Sequence, residues 1–341
     1  MASKPKKVLV LRFSSIGDIV LTSPVLRSLK QQRPDWELHY FTKPAYLPLL
    51  QHNPHLDHIH LLEAPLGPQL KRLKQVGFDF ILDLHHNLRT WRIKQALRVP
   101  SASFPKENWR KYWMVRRKQP EPGLPHIVQR YGRTLQKLGV ELDAEGLEVF
   151  LPPALPTWAD EQLNQHFASG HRSQILAVAL GAQYQTKRWP PGHFTELLNR
   201  LNRPVLLLGG PDARADADQV LAQLRVPHWD AVAQQGLLES AALMKACSAV
   251  LTHDSGFMHI AAAFRMSVFS LWGSTIPEFG MTRYQTPHLI LENKEVGCRP
   301  CSKIGFHDCP RGHFACMTQL TPTEVETQIR QFEQDTTKTD S

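Results

Sequence analysis

The residues able to do chemistry in this chain fall into separate groups. In residues 252–263, THDSGFMHIAAA, an apolar run (Ala249, Val250, Leu251) meets Asp254-Ser255-Gly256 and then a small-residue helical pattern. Strand, Asp-Ser-Gly, helix is the layout of an anion site. Asp254 or Ser255 can cap the helix, its first backbone N–H groups lack internal partners, and Gly256 admits a phosphate close to the backbone. An ordinary capped helix is the plainer reading. Ser14-Ser15-Ile16-Gly17-Asp18 directly follows the apolar residues 7–13. Gly17 permits a tight turn there, and Asp18 stands at the carboxyl edge of a first parallel strand, where open α/β sheets keep their chemistry. The plainer role for Asp18 is a helix cap.

Charge and sulfur supply two further groups. Residues 85–118 hold ten basic side chains (Arg89, Arg92, Lys94, Arg98, Lys106, Arg110, Lys111, Arg116, Arg117 and Lys118) against Glu107 alone. The formal charge of the whole chain is +9, so the remainder is close to neutral. Trp91, Trp109, Tyr112 and Trp113 are interleaved. A basic, aromatic patch suits an anionic partner, whether phosphorylated glycolipid, membrane surface or nucleic acid; a solvated helical face is the alternative. Cys298, Cys301, Cys309 and Cys316 are spaced C-x2-C-x7-C-x6-C, with His307 and His313 among them. Reduced, they could hold a structural zinc tetrahedrally; a metal-free packed cluster is the alternative. Cys247 sits in an apolar helical run and reads as core. No Asp-x-Asp pair stands at a strand end, so no metal is expected in catalysis.

The elements that position these residues alternate. Strands are expected over residues 7–13, 37–42, 58–62, 78–84, 175–180, 204–208, 249–252 and 267–271. Helical patterns lie at Ile19, Val20, Val25, Leu26 and Leu29, and over residues 46–51, 69–75, 127–138, 193–201, 213–224 and 238–247. Such alternation argues for doubly wound parallel sheets. Pro152, Pro153 and Pro156 mark a boundary, giving domains 1–152 and 153–341. Thr321-Pro322-Thr323-Glu324 is a capping box with proline at the first helical position, opening a helix to about Phe332, followed by a short polar tail. A chain of 341 residues is too long for one ordinary core. The composition, 42% hydrophobic and 21% charged, is that of a soluble globular protein. No apolar run reaches the ~18 residues that a membrane helix needs. No secretory pattern precedes the first strand, so a cytoplasmic compartment with reduced thiols is expected.

The segments LRFSSIGDIVLTSPVLRSLK, DLHHNLRTWRI, GAQYQTKRWP, the GGP turn and THDSGFMHIAAA follow one another at distances that resemble the bacterial lipopolysaccharide heptosyltransferases. These are GT-B enzymes that use ADP-heptose. The resemblance spans residues 8–317 and implies two Rossmann-like α/β domains facing a cleft, with a C-terminal helix. It implies that Asp18 is the general base of an inverting displacement and that Lys187 binds the donor diphosphate. Ser255 and Gly256 would offer N–H groups to the same diphosphate, and His259 could reach it. Asp254 would contact sugar hydroxyls or brace its loop. Gly210 in the GGP turn, with Gly236, would flank adenosine. Ser15, Gly17, Asn87 and Arg89, with the basic window, would hold an anionic lipid A–core acceptor at the inner face of the inner membrane. A related transferase with another donor or acceptor is the nearest alternative. A nucleic-acid binder would need neither Asp18 nor Lys187, and an oxidoreductase would need the G-x-G-x-x-G fingerprint that both halves lack.

Overall fold

Runs of fully buried Val, Leu and Ala make central strands of two all-parallel sheets, each covered by amphipathic helices, as parallel sheets require. The computed structural model describes residues 6–121, 123–168 and 170–339. In chain order the elements are β1 (Lys7–Leu11), α1 (Ile16–Val20), α2 (Ser23–Gln32), β2 (Glu37–Thr42), β3 (His58–Leu61), α3 (Leu66–Val76), β4 (Phe80–Asp83), α4 (Leu88–Leu97), β5 (Ser101–Ser103), α5 (Asn108–Arg117) and α6 (Ile127–Gly132). There follow α7 (Ala154–His166), β6 (Leu176–Ala179), α8 (Pro191–Leu201), β7 (Val205–Leu208), α9 (Arg214–Leu221), β8 (His228–Asp230) and α10 (Leu237–Lys245). The chain closes with β9 (Ala249–His253), α11 (Gly256–Ala263), β10 (Ser267–Trp272), β11 (His288–Glu292), α12 (Ala315–Thr318) and α13 (Pro322–Thr339).

The chain forms two compact units. One is Met1–Glu107 with Pro125–Phe150, the other Asn108–Leu124 with Leu151–Ser341. The first sheet runs β3-β2-β1-β4-β5 and the second β11-β10-β9-β6-β7-β8. Strand order therefore reverses between β1 and β4 in one and between β6 and β9 in the other. Ligands of open α/β sheets bind at the carboxyl ends beside such reversals. Leu9, Leu11, Phe41 and Ile81 pack with Leu73 of α3 and Ile93 of α4 to make one core. Val178, Leu207, Leu251 and Phe269 pack with Phe194 and Leu197 of α8, Val220 of α9 and Val325 and Ile329 of α13 to make the other.

Several expectations are corrected. The first strand ends at Leu11 rather than Phe13, because the Arg12 side chain turns to the carbonyls of Ser14 and Leu84. The helical pattern after it is two helices, not one. The Thr22 and Ser23 hydroxyls donate to the carbonyls of Ile19 and Val20, and Pro24, which lacks an N–H, can sit only in the first turn of the second helix. The helix expected over residues 127–138 breaks at Gly132, where a Cβ would lie 2.7 Å from Leu142 Cδ2. Residues 46–51 give a 3-10 turn, Pro44–Leu49, because Pro48 removes a helical donor. The residues after Gln334 continue α13 rather than forming a separate tail. β5, β8, β11, α5 and α7 had no counterpart in the sequence reading; Pro156 sits in the first turn of α7, where it is tolerated. The basic window divides between the units: Arg89 to Lys106 belong to the first and Arg110 to Lys118 to the second.

Candidate active site

In the first unit, the chain leaves β1 into α1 and places Asp18 in that helix's first turn. The Asp18 carboxylate accepts the Ser15 backbone N–H at 3.0 Å and the Ser15 hydroxyl at 2.9 Å, and Arg12 Nη2 lies 2.7 Å away. Arg12 is nearly buried. It also donates to the Ser14 carbonyl at 2.7 Å and the Leu84 carbonyl at 2.5 Å, and its guanidinium lies over the Tyr131 ring. It thus ties the end of β1 to the end of β4. Burial opposes the Arg12 charge, and Asp18, Tyr131 and Tyr40 together hold its pKa above the ordinary value. His85 lies edge-on to Phe13, and burial with the cations Arg12 and Lys106 pushes its imidazole down to about 4.

The other residues expected for the acceptor have visible structural duties. Gly17 is buried in α1. Asn87 caps α4, its Oδ1 accepting the Thr90 N–H at 3.0 Å. Arg89 is exposed, with its guanidinium 5.8 Å from the centre of the Phe13 ring. Lys94 pairs at 2.8 Å with Asp83, a fully buried carboxylate at the end of β4.

In the second unit, Lys187 ends a 3-10 turn (Gln185–Lys187) after β6, and Asp254 follows β9. Lys187 Nζ lies 2.5 Å from Asp254 Oδ2 and 3.3 Å from the Asp254 carbonyl, spanning the reversal of the second sheet. The Thr275 hydroxyl donates to the same Oδ2 at 2.8 Å. These contacts occupy Asp254, while Ser255 Oγ pairs with Thr252 Oγ1 at 3.2 Å. Neither side chain caps α11, contrary to the sequence reading. Ser255 is the N-cap and makes no capping bond, so the first N–H groups of α11, beginning with Gly256, receive no bond from its side chain. His259 is buried one turn into α11.

The loops around Lys187 are anchored by residues the sequence reading missed. His253, fully buried, accepts the Trp189 N–H on Nε2 at 2.9 Å and donates from Nδ1 to the Gly181 carbonyl at 3.2 Å. Burial pushes its pKa down to about 4, so the imidazole is neutral. Arg188 donates to the carbonyls of Ala182 and Asp212 and pairs with Asp212 and Asp216, which ties the lysine loop to the Gly210 turn. At the neighbouring Gly209 a Cβ would meet Ala213 Cβ at 2.7 Å and the Leu180 carbonyl at 3.0 Å. Thr186 and Ser274 join the same loop to β10 through a 2.9 Å hydroxyl bond. Arg12 was signalled by a cation inside an apolar run, and His253 by an imidazole ending one. Thr275 carried no signal.

The four cysteines of the C-x2-C-x7-C-x6-C run lie near one another, close enough for Cys301 and Cys316 to respond to Cys298 and Cys309. Cys298 Sγ is 3.8 Å from His313 Nε2, and Cys301 turns its thiol to the Cys298 carbonyl. Cys316 also packs in the core of the second unit. Burial, reinforced by the neighbouring cysteines, pushes the thiols of Cys301 and Cys316 up to about 11 and about 12. Arg299, between the first two cysteines, gives this segment a structural role, because it donates to the carbonyls of Gly273 and Thr275 and holds the end of β10. Among the described residues, three His, Cys, Asp or Glu ligand atoms lie within 4.8 Å of one another at Glu37, His39 and His58. No described helix is long and apolar enough to cross a membrane.

Known proteins resemble this chain along most of its length. The family described as "Glycosyltransferase family 9 (heptosyltransferase)" matches residues 69–306. The lipopolysaccharide heptosyltransferase 2 of Salmonella typhimurium is 25% identical, covering 94% of this chain and 96% of its own. The crystal structure of a family 9 glycosyltransferase from Veillonella parvula superposes with a TM-score of 0.79 at 20% identity, over 97% of this chain and 98% of that one. The E. coli ADP-heptose lipopolysaccharide heptosyltransferase II superposes with a TM-score of 0.71 at 20% identity, over 96% and 98%. Both units therefore have the α/β architecture of the GT-B fold.

Proposed function

The chain belongs to glycosyltransferase family 9, the heptosyltransferases, and from that premise we propose that it moves a heptose from ADP-heptose to a sugar hydroxyl of the lipopolysaccharide inner core. The observation that carries this reading is the N-terminus of α11, without a side-chain cap, beside the Lys187 ammonium. Backbone N–H groups and one cation are what a diphosphate leaving group needs as its charge develops. The Gly210 turn, tied to the lysine loop through Arg188, flanks the adenosine.

The first unit supplies the acceptor side. The acceptor hydroxyl oxygen attacks the anomeric carbon, the bond from that carbon to the diphosphate oxygen breaks, and ADP leaves with the electron pair. The hydroxyl proton passes to the Asp18 carboxylate, which Ser15 and Arg12 hold in orientation. Attack opposite the leaving group inverts the centre. With lysine and helix N–H groups on the leaving diphosphate, no divalent ion is needed. Arg89, exposed beside Phe13, binds a phosphate of the acceptor. The exposed Trp109 and Tyr112, with Arg116 and Arg117, set α5 against the anionic headgroups at the inner face of the inner membrane.

Mass spectrometry after mixing the protein with ADP-heptose and a panel of truncated lipid A–core acceptors tests this reading. One acceptor should gain the mass of a single heptose, with a chelator present or absent. Release of ADP with no acceptor gaining mass would refute it.

A further inference from the structure

Outside this site, one cluster of ligating side chains stands at the far end of the first sheet. Glu37 opens β2, His58 opens β3, and His39 lies two residues into β2. The parallel register pairs His39 with His58 across neighbouring strands, so residues 37, 39, 58 and 60 share one face. That end carries the amino termini of the strands, whereas Asp18 follows a carboxyl terminus. β3 is an edge strand, so the cluster is reached from solvent. His58 is exposed and Glu37 partly so, while His39 is 3% exposed.

We propose that Glu37, His39 and His58 form a binding site for a divalent transition-metal ion of the zinc class, separate from the sugar-transfer site. The carboxylate oxygen and two ring nitrogens lie within 4.8 Å of one another. His39 Nε2 is 3.4 Å from Glu37 Oε2, close to the roughly 3.3 Å edge of a tetrahedron of ligands around zinc. Two imidazoles and a carboxylate are a set that zinc, cobalt and nickel accept, with water completing the shell.

A buried atom points the same way. His39 Nε2 is buried and has no well-directed hydrogen bond, with Glu37 Oε2 3.4 Å away. Its other nitrogen, Nδ1, is 3.0 Å from His60 Nε2. If Nδ1–H donates to His60, the Nε2 lone pair faces a carboxylate oxygen, an arrangement a cation relieves. A ligating histidine usually donates its second N–H to such a partner, which fixes its tautomer. Lys7 Nζ, 3.2 Å from Glu37 Oε2, is partly exposed and can swing away as the ion arrives.

Titration of the full chain with cobalt(II) alone, followed by visible absorption, tests the proposal. One equivalent should bind with ligand-field bands and no thiolate-to-cobalt charge transfer, which separates this site from the cysteines. His58→Ala and Glu37→Gln alter accessible side chains, so the fold should persist, as circular dichroism would verify. Each should weaken binding by at least about tenfold, and His60→Gln by about 10- to 100-fold through loss of the orienting bond. Zinc should raise the melting temperature of the parent and leave that of His58→Ala unchanged. Failure of the parent to bind, equal binding by parent and His58→Ala, or a spectrum dominated by thiolate charge transfer would overturn the proposal. Transfer activity is not the readout, so the outcome is independent of the proposed reaction.

Discussion

Replacing Asp18 with asparagine separates catalysis from architecture, because the two effects differ in size and observable. The neighbours of the carboxylate include the Ser15 N–H, the Ser15 hydroxyl and the Arg12 guanidinium. Asparagine keeps an acceptor for Ser15, but its amide N–H group then faces Arg12. The loss is one charge-assisted bond, about 1.5–3 kcal/mol. The 3–5 kcal/mol typical of an orphaned buried charge is not reached, because Arg12 keeps the carbonyls of Ser14 and Leu84 and the Tyr131 ring. Calorimetry should therefore show the first unit melting roughly 4–10 °C lower, with ADP affinity by isothermal titration changed less than about twofold. An amide cannot take the acceptor proton, so turnover should fall by about 10²- to 10⁴-fold. Turnover within about tenfold of the parent, at unchanged ADP affinity, would remove Asp18 from the base role and leave it a helix-turn brace.

Lys187→Ala should weaken ADP binding by about 10- to 100-fold, the worth of a charge-assisted contact to diphosphate; titration calorimetry showing no change would exclude Lys187 from the donor site. Asp254→Asn should tighten ADP binding a few-fold (~3-fold), since it removes the carboxylate that competes for Lys187 while an amide oxygen can still accept from Thr275; weaker binding would mean that Asp254 itself holds the donor. Reversing Arg110, Arg116 and Arg117 to glutamate should raise the KM for the anionic acceptor and leave ADP affinity unchanged; equal effects on both would point to a folding defect. Stability should fall as the medium is acidified from about pH 6.5 to about pH 4. The folded pKa of His253 is depressed to about 4 by burial, so the unfolded chain binds more protons across that window. The loss is up to about 3 kcal/mol from this residue, and His39 and His85 act in the same direction. A melting temperature flat between about pH 7 and pH 4.5 would contradict the buried, neutral imidazoles.

The central strands were legible because a parallel strand buried on both faces must be a continuous apolar run, as β1, β7 and β9 are. β5, Ser-Ala-Ser, and β8, His-Trp-Asp, are only three residues each and owe their conformation to neighbouring strands, so no local pattern could show them. The α1–α2 break depends on hydroxyls at Thr22 and Ser23 turning back on the preceding turn, a choice that side-chain periodicity does not record. Lys187 stands in a single 3-10 turn, and only the family resemblance singled it out. Its pairing with Asp254 joins residues 67 positions apart and could not be read locally. Arg12 was readable in principle, since a cation inside an apolar run must find partners once buried.

The two charge pairs at the strand reversals make different demands. Arg12 is nearly buried and grips two carbonyls besides Asp18, so separating it from Asp18 would strand a cation away from water. That pair is built to persist, and it presents the carboxylate in one orientation from which an oxygen can accept a proton. Lys187 has only Asp254 as its anionic partner among the ion pairs of the described residues, on a lysine stem that can reorient. Its ammonium can exchange one anion for another at little cost if a diphosphate arrives, and the Thr275 hydroxyl remains to satisfy the carboxylate that is left. An acid–base group must hold its geometry through every turnover, whereas a nucleotide contact must form and break once per cycle. The fixed arginine and the exchangeable lysine suit the roles proposed for Asp18 and for Lys187.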